Sequence, residues 1–92
     1  MIEIENKWAL VTGASRGVGL RVARALAEKG CKLILHSRKI EGTQELLKEL
    51  RSSGNEVHSV AAELDLIPEV ERMIEEVNEI TDHHLDILYN NA

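Results

Sequence analysis

Apolar positions change their spacing several times along the chain. Residues 7–12 (KWALVT) form a short apolar run that stops at Gly13, as a buried strand does on entering a tight turn. Over residues 16–29, Val18, Val22, Ala25 and Leu26 fall close to helical spacing, and Gly30 supplies a helix stop. Residues 31–36 (CKLILH) predict a second strand. Leu46, Leu47 and Leu50, set among charges, predict an amphipathic helix over 40–51 that closes near Gly54. Residues 57–62 predict a third strand, its pattern diluted by His58 and Ser59. Pro68 stands at a first helical position, and Val70, Met73, Ile74, Val77 and Ile80 then mark one face of a third helix. Residues 85–89 (LDILY) predict a fourth strand.

The order is β-α-β-α-β-α-β, and strands alternating with helices predict an α/β fold with a parallel sheet. Right-handed crossovers leave few topologies. The doubly wound, Rossmann-type order places the first strand beside the fourth, with the second and third outward on the other side. The 92 residues predict a single domain, 1–92, without linker or repeat.

Composition narrows the reading. Phe is absent, and Trp8 and Tyr89 are the only other large aromatics, so the core is aliphatic, which suits a sheet buried under helices on both faces. The net charge of -5, with Lys and Arg scattered, argues against a nucleic-acid partner. The apolar runs are too short to cross a bilayer, and residues 1–5 lack the basic-then-apolar form of a signal peptide. One cysteine, Cys31, fits a reducing compartment, and the expected location is cytoplasmic.

The candidate chemistry lies in residues 12–19, Thr-Gly-Ala-Ser-Arg-Gly-Val-Gly. Gly13 stands where a strand must turn sharply. Gly17 lets backbone approach a diphosphate, and Gly19 lets the following helix pack closely. The helix amino terminus then offers free N–H groups and a partial positive charge to an anion, and Ser15 can add a hydroxyl. The predicted strand before the motif and helix after it supply the context that a dinucleotide-binding turn requires.

These residues resemble the TGxxxGxG signature of the short-chain dehydrogenase/reductase family, through Thr12, Gly13, Ser15, Arg16, Gly17, Val18 and Gly19. Asp65-Leu66 resembles the family's adenine-ring contact, and Asn90-Asn91-Ala92 resembles the start of its NNAG segment, whose double Asn braces strands. The resemblance implies the first half of the family's Rossmann fold, a dinucleotide as partner, and hydride transfer between nicotinamide and a carbonyl or alcohol. The family's Tyr-x-x-x-Lys pair is not found: Tyr89 is the only tyrosine and belongs to the fourth strand. The resemblance therefore implies no catalytic residue in this chain, and an inactive chain if it stands alone. The alternatives are a non-catalytic nucleotide-binding module and a truncation product. The fourth strand would keep an unpaired edge, a place for self-association.

The end of the second strand bears on which dinucleotide is bound. An NAD site needs a carboxylate there for the ribose 2′-OH, and the sequence reads His36-Ser37-Arg38-Lys39. A guanidinium binds a 2′-phosphate, so NADP is expected over NAD, with Arg38 the first candidate and Ser37 a hydroxyl donor. The resemblance implies Arg16 as the second candidate, since similar family members pair these two positions. No metal is expected, because His83-His84 is an adjacent pair in a polar loop with no further ligand at suitable spacing. His36 and His58 are read as packed or edge histidines, and Cys31 and Trp8 as packing residues.

Overall fold

The structure is a computed structural model that describes residues 3–91. Four parallel strands form one sheet: β1 (Trp8–Val11), β2 (Lys32–Ser37), β3 (Val57–Ala61) and β4 (Leu85–Tyr89). Their order is β3-β2-β1-β4, as expected for the doubly wound arrangement. Helices α1 (Gly17–Glu28), α2 (Gln44–Ser52) and α3 (Ile67–Thr81) are the crossovers.

Alternate strand residues feed two cores. Ala9, Val11, Leu33, Leu35 and Val57 meet Ala23 and Ala27 of α1 and the three leucines of α2. Trp8, Leu10, Ile34 and Val60 meet Met73 and Val77 of α3 on the other face. Leu33, Ile34 and Leu35 are fully buried, each contributing roughly 2 kcal/mol by the area it removes from water. Strand β4 lies at the sheet edge and is half open, with Leu88 61% exposed.

The inward face of α1 differs from its apolar spacing. Gly19, Ala23 and Ala27, four residues apart, lie against the sheet, while Val18 and Ala25 face out. Small side chains let this helix sit close to the strands, so size outranks hydrophobicity at the contact. Ile74 of α3 likewise stays half exposed. Two boundaries also move. Cys31 stands just ahead of β2, because its N–H closes α1 by bonding to the Leu26 carbonyl at 3.2 Å. The predicted 40–51 helix divides into a 3-10 turn, Ile40–Thr43, and α2.

The β1–β4 pairing shifts register between Trp8 and Ala9. There the Trp8 N–H donates to Asp86 Oδ2 at 2.9 Å, a side chain replacing a ladder carbonyl. Trp8 is packed, with Lys32 Nζ 5.0 Å from its ring centre. Cys31 is buried, and burial pushes its thiol pKa up.

Candidate functional site

The backbone groups of the turn leaving β1 are held by His36 and Asn91. Gly13 adopts φ +62°, a left-handed conformation that suits glycine. Its N–H donates to His36 Nδ1 at 3.1 Å, and the next amide, of Ala14, donates to the His36 carbonyl at 2.8 Å. Its carbonyl accepts from Asn91 Nδ2 at 3.3 Å. A Cβ at Gly19 would lie 2.2 Å from that same carbonyl oxygen, so α1 descends onto the turn only because residue 19 has no side chain. Gly17, at φ +63°, has open space where its Cβ would be.

This geometry leaves a row of donors. The first backbone bond into α1 runs from Leu20 N–H to the Arg16 carbonyl at 3.4 Å. The amides of residues 15–19 ahead of it have no acceptor among the described residues. Together with the helix dipole they favour an anion, and no acidic residue stands in the first turn of α1 to oppose one. The residues fit a diphosphate: successive amides are free to donate, and the missing Cβ at Gly17 leaves open space beside them.

Strand β2 delivers the second part of the site. An open crevice of about 770 Å³ is bordered by Gly13, Ser15, Arg16, Ser37, Arg38 and Lys39, so the first and second strands bring their candidates to one place. Ser37 is buried, and its hydroxyl donates to the Lys39 carbonyl, which commits its proton to the loop. Gly42 of the 3-10 turn comes against Ser37 and Ser15, where a Cβ would meet their side chains at 3.1 and 3.2 Å. Arg38 is 77% exposed and pairs through Nε with Glu63 Oε1 at 3.1 Å, leaving its two Nη groups for a ligand. No carboxylate occupies residues 36–39.

Thr12 braces the third part. Its hydroxyl lies 3.0 Å from Asn90 Oδ1 and accepts the Asn91 N–H at 2.9 Å, while its own N–H bonds the Tyr89 carbonyl at 3.0 Å. Asn90 and Asn91 thereby join the ends of β4 and β1, the brace that the double Asn implied. Ala92 lies outside the described residues. Val18 is exposed on the first turn of α1, and its amide belongs to the donor row. Asp65 and Leu66 are exposed in the turn before α3, and the Asp65 side chain has no hydrogen bond or ion pair among the described residues.

Three site residues escaped the sequence reading: His36, Gly42 and Glu63. A polar residue ending an apolar strand beside a glycine turn is a usable signal for His36. The other two have none, since Gly42 acts by its lack of bulk and Glu63 through a partner 25 residues away. Among the described residues no group of three His, Cys, Asp or Glu side chains could hold a metal, and no helix is long and apolar enough to cross a membrane.

The short chain dehydrogenase family profile matches residues 7–92. The chain belongs to the short-chain dehydrogenase family. A tetrahydroxynaphthalene reductase of Pyricularia oryzae is 34% identical to this chain over 90 residues, which are 97% of the chain and 31% of that protein. The oxidoreductase YvrD of Bacillus subtilis, itself uncharacterized, is 37% identical over 90 residues, 98% of the chain and 33% of that protein. The chain thus spans about a third of the length of the curated relatives it matches. Among solved structures, L-sorbose reductase of Gluconobacter frateurii, complexed with NADPH and L-sorbose, superposes with TM-score 0.89 at 32% identity, covering 97% of this chain and 34% of that one. The NADP complex of RhlG from Pseudomonas aeruginosa gives 0.87 at 31%, covering 98% and 36%.

Proposed function

We propose that this chain is the NADP(H)-binding part of a short-chain dehydrogenase that transfers hydride between nicotinamide and a carbonyl or alcohol. The observation that carries this reading is the row of unbonded amides at residues 15–19, which begins at Ser15 and Arg16 on the wall of the crevice that Arg38 and Lys39 also line. The amides and the helix end take the diphosphate. Arg38 takes the 2′-phosphate with its two Nη groups, Arg16 closes from the turn, and Asn90 and Asn91 keep the β1 and β4 ends together beneath the adenosine. Asp65 is the acid for the adenine amino group. The cofactor supplies the hydride, and this chain's residues bind and orient it; none of them acts on the substrate.

Preference for NADP over NAD is supported by the cations beside β2, by the lack of a carboxylate at residues 36–39, and by relatives solved with NADP or NADPH. The test is calorimetric titration of the chain with NADP(H), NAD(H) and adenosine 2′-phosphate. Arg38→Ala weakens NADP(H) and adenosine 2′-phosphate by about tenfold to a hundredfold, the worth of a charge-assisted contact, and leaves NAD(H) unchanged. Equal loss for all three ligands overturns the assignment of Arg38.

A further inference from the structure

His36 is 1% exposed at the carboxyl end of β2, and both of its ring nitrogens are engaged. Nδ1 lies 3.1 Å from the Gly13 nitrogen, and Nε2 lies 2.9 Å from the Ala62 carbonyl oxygen. A backbone N–H only donates and a carbonyl only accepts, so one form of the ring satisfies both: Nδ1 bare and Nε2 protonated. With its own carbonyl on the Ala14 N–H at 2.8 Å, this residue receives two successive amides of the glycine turn. One side chain thus ties together the turn after β1, the end of β2 and the segment after β3.

We propose that His36, as the neutral Nε2–H tautomer, is a positioning residue for the diphosphate-binding turn. It draws the amides of Gly13 and Ala14 down to the sheet, so the five that follow are left to face an anion. The inference rests on the dinucleotide reading above. Gly13 has both backbone groups fixed, the N–H by His36 and the carbonyl by Asn91 Nδ2, with α1 seated at Gly19 against that carbonyl. Without the ring acceptor, the Gly13 peptide loses one of its two restraints and the donor row loses its fixed direction. A proton on Nδ1 has the same effect, because it would face the Gly13 N–H.

Two measurements test this on the intact chain. Long-range 1H–15N spectra of the labelled protein are expected to show His36 Nδ1 unprotonated and Nε2 protonated; a protonated Nδ1 in the folded protein overturns the proposal. In titrations, His36→Asn, whose Oδ1 can take the place of Nδ1, keeps NADP(H) affinity within about threefold. His36→Leu leaves the Gly13 amide buried without an acceptor and weakens NADP(H) and NAD(H) alike by about tenfold or more, while adenosine 2′-phosphate is unaffected. If His36→Leu does not fold, the tautomer and the Asn variant decide: a folded His36→Asn that has lost dinucleotide binding overturns the proposal. Unaltered binding by a folded His36→Leu overturns it alone, whereas a wild-type chain that binds neither NADP(H) nor NAD(H) overturns the dinucleotide reading as well.

Discussion

The β1–α1 turn and the β3–α3 turn open at the same end of the sheet and differ in how closely they are held. In the first, buried and inter-strand side chains grip the backbone: the His36 ring takes the Gly13 N–H, Asn91 Nδ2 donates to its carbonyl, and Gly19, lacking a Cβ, seats the helix on it. In the second, carboxylates do the holding. The Glu63 N–H donates to Glu69 Oε1 at 2.8 Å, the Glu63 side chain reaches Arg38, and Asp65 and Leu66 are left in solvent. A turn whose backbone is gripped this closely tolerates almost no added atom, whereas a turn built from exposed side chains can change its residues at small cost.

The sharpest way to break the contrast is Gly19→Ala. Its Cβ would press on a backbone oxygen that cannot swing aside, so a loss of about 3 kcal/mol in denaturant unfolding is expected, together with loss of NADP(H) binding. Gly17→Ala, in open space but at positive φ, should cost only about 1 kcal/mol. Equal effects at the two glycines would refute the close approach of α1.

Thr12→Val comes next. It keeps the shape but removes the hydroxyl that accepts the Asn91 N–H and meets Asn90, for an expected loss of about 1–2 kcal/mol in thermal or chemical unfolding. No change would mean that the β1–β4 brace is held by the ladder alone. In the softer turn, Asp65→Asn should leave stability unchanged and weaken adenine-containing ligands by about threefold, a single exposed contact. Glu63→Gln is the control. If it costs more NAD(H) affinity than Asp65→Asn, with no 2′-phosphate for Arg38 to hold, the adenine contact belongs to Glu63.

The smallest effect is expected where neither turn is involved. Arg24 and Glu49 join α1 to α2 through two bonds of 2.8 Å, and the hydrogen bond from the guanidinium holds the Glu49 carboxyl below its usual range. The stabilisation is present above the ordinary carboxylate pKa and is lost as the pH falls through the lowered one. Both groups are exposed, so Arg24→Ala should barely move the melting temperature at physiological salt and should flatten only the acid limb of the stability profile.

Much of this was legible in the chain itself. The four strands, the three helices and the glycine turn follow from local rules, because apolar period, helix stops and the steric freedom of glycine depend on near neighbours in sequence. The sheet order follows from the handedness of the crossovers between them. The α1 contact face did not follow, because Gly19, Ala23 and Ala27 carry little hydrophobic signal and matter through how close they let the sheet come. The division of the 40–51 segment was hidden for a similar reason, since Gly42 sits against Ser15 and Ser37 from another part of the chain.

The sequence alone determined an α/β alternation and a phosphate-sized turn, because strands, helices and caps are encoded within a few residues of where they act. Only the tertiary structure decided which side chains hold that turn. His36 lies 23 residues from Gly13, and Asn91 lies 78 away from it. Such partners are selected by the parallel order of strands, which brings their carboxyl ends together, and no local pattern marks them in advance.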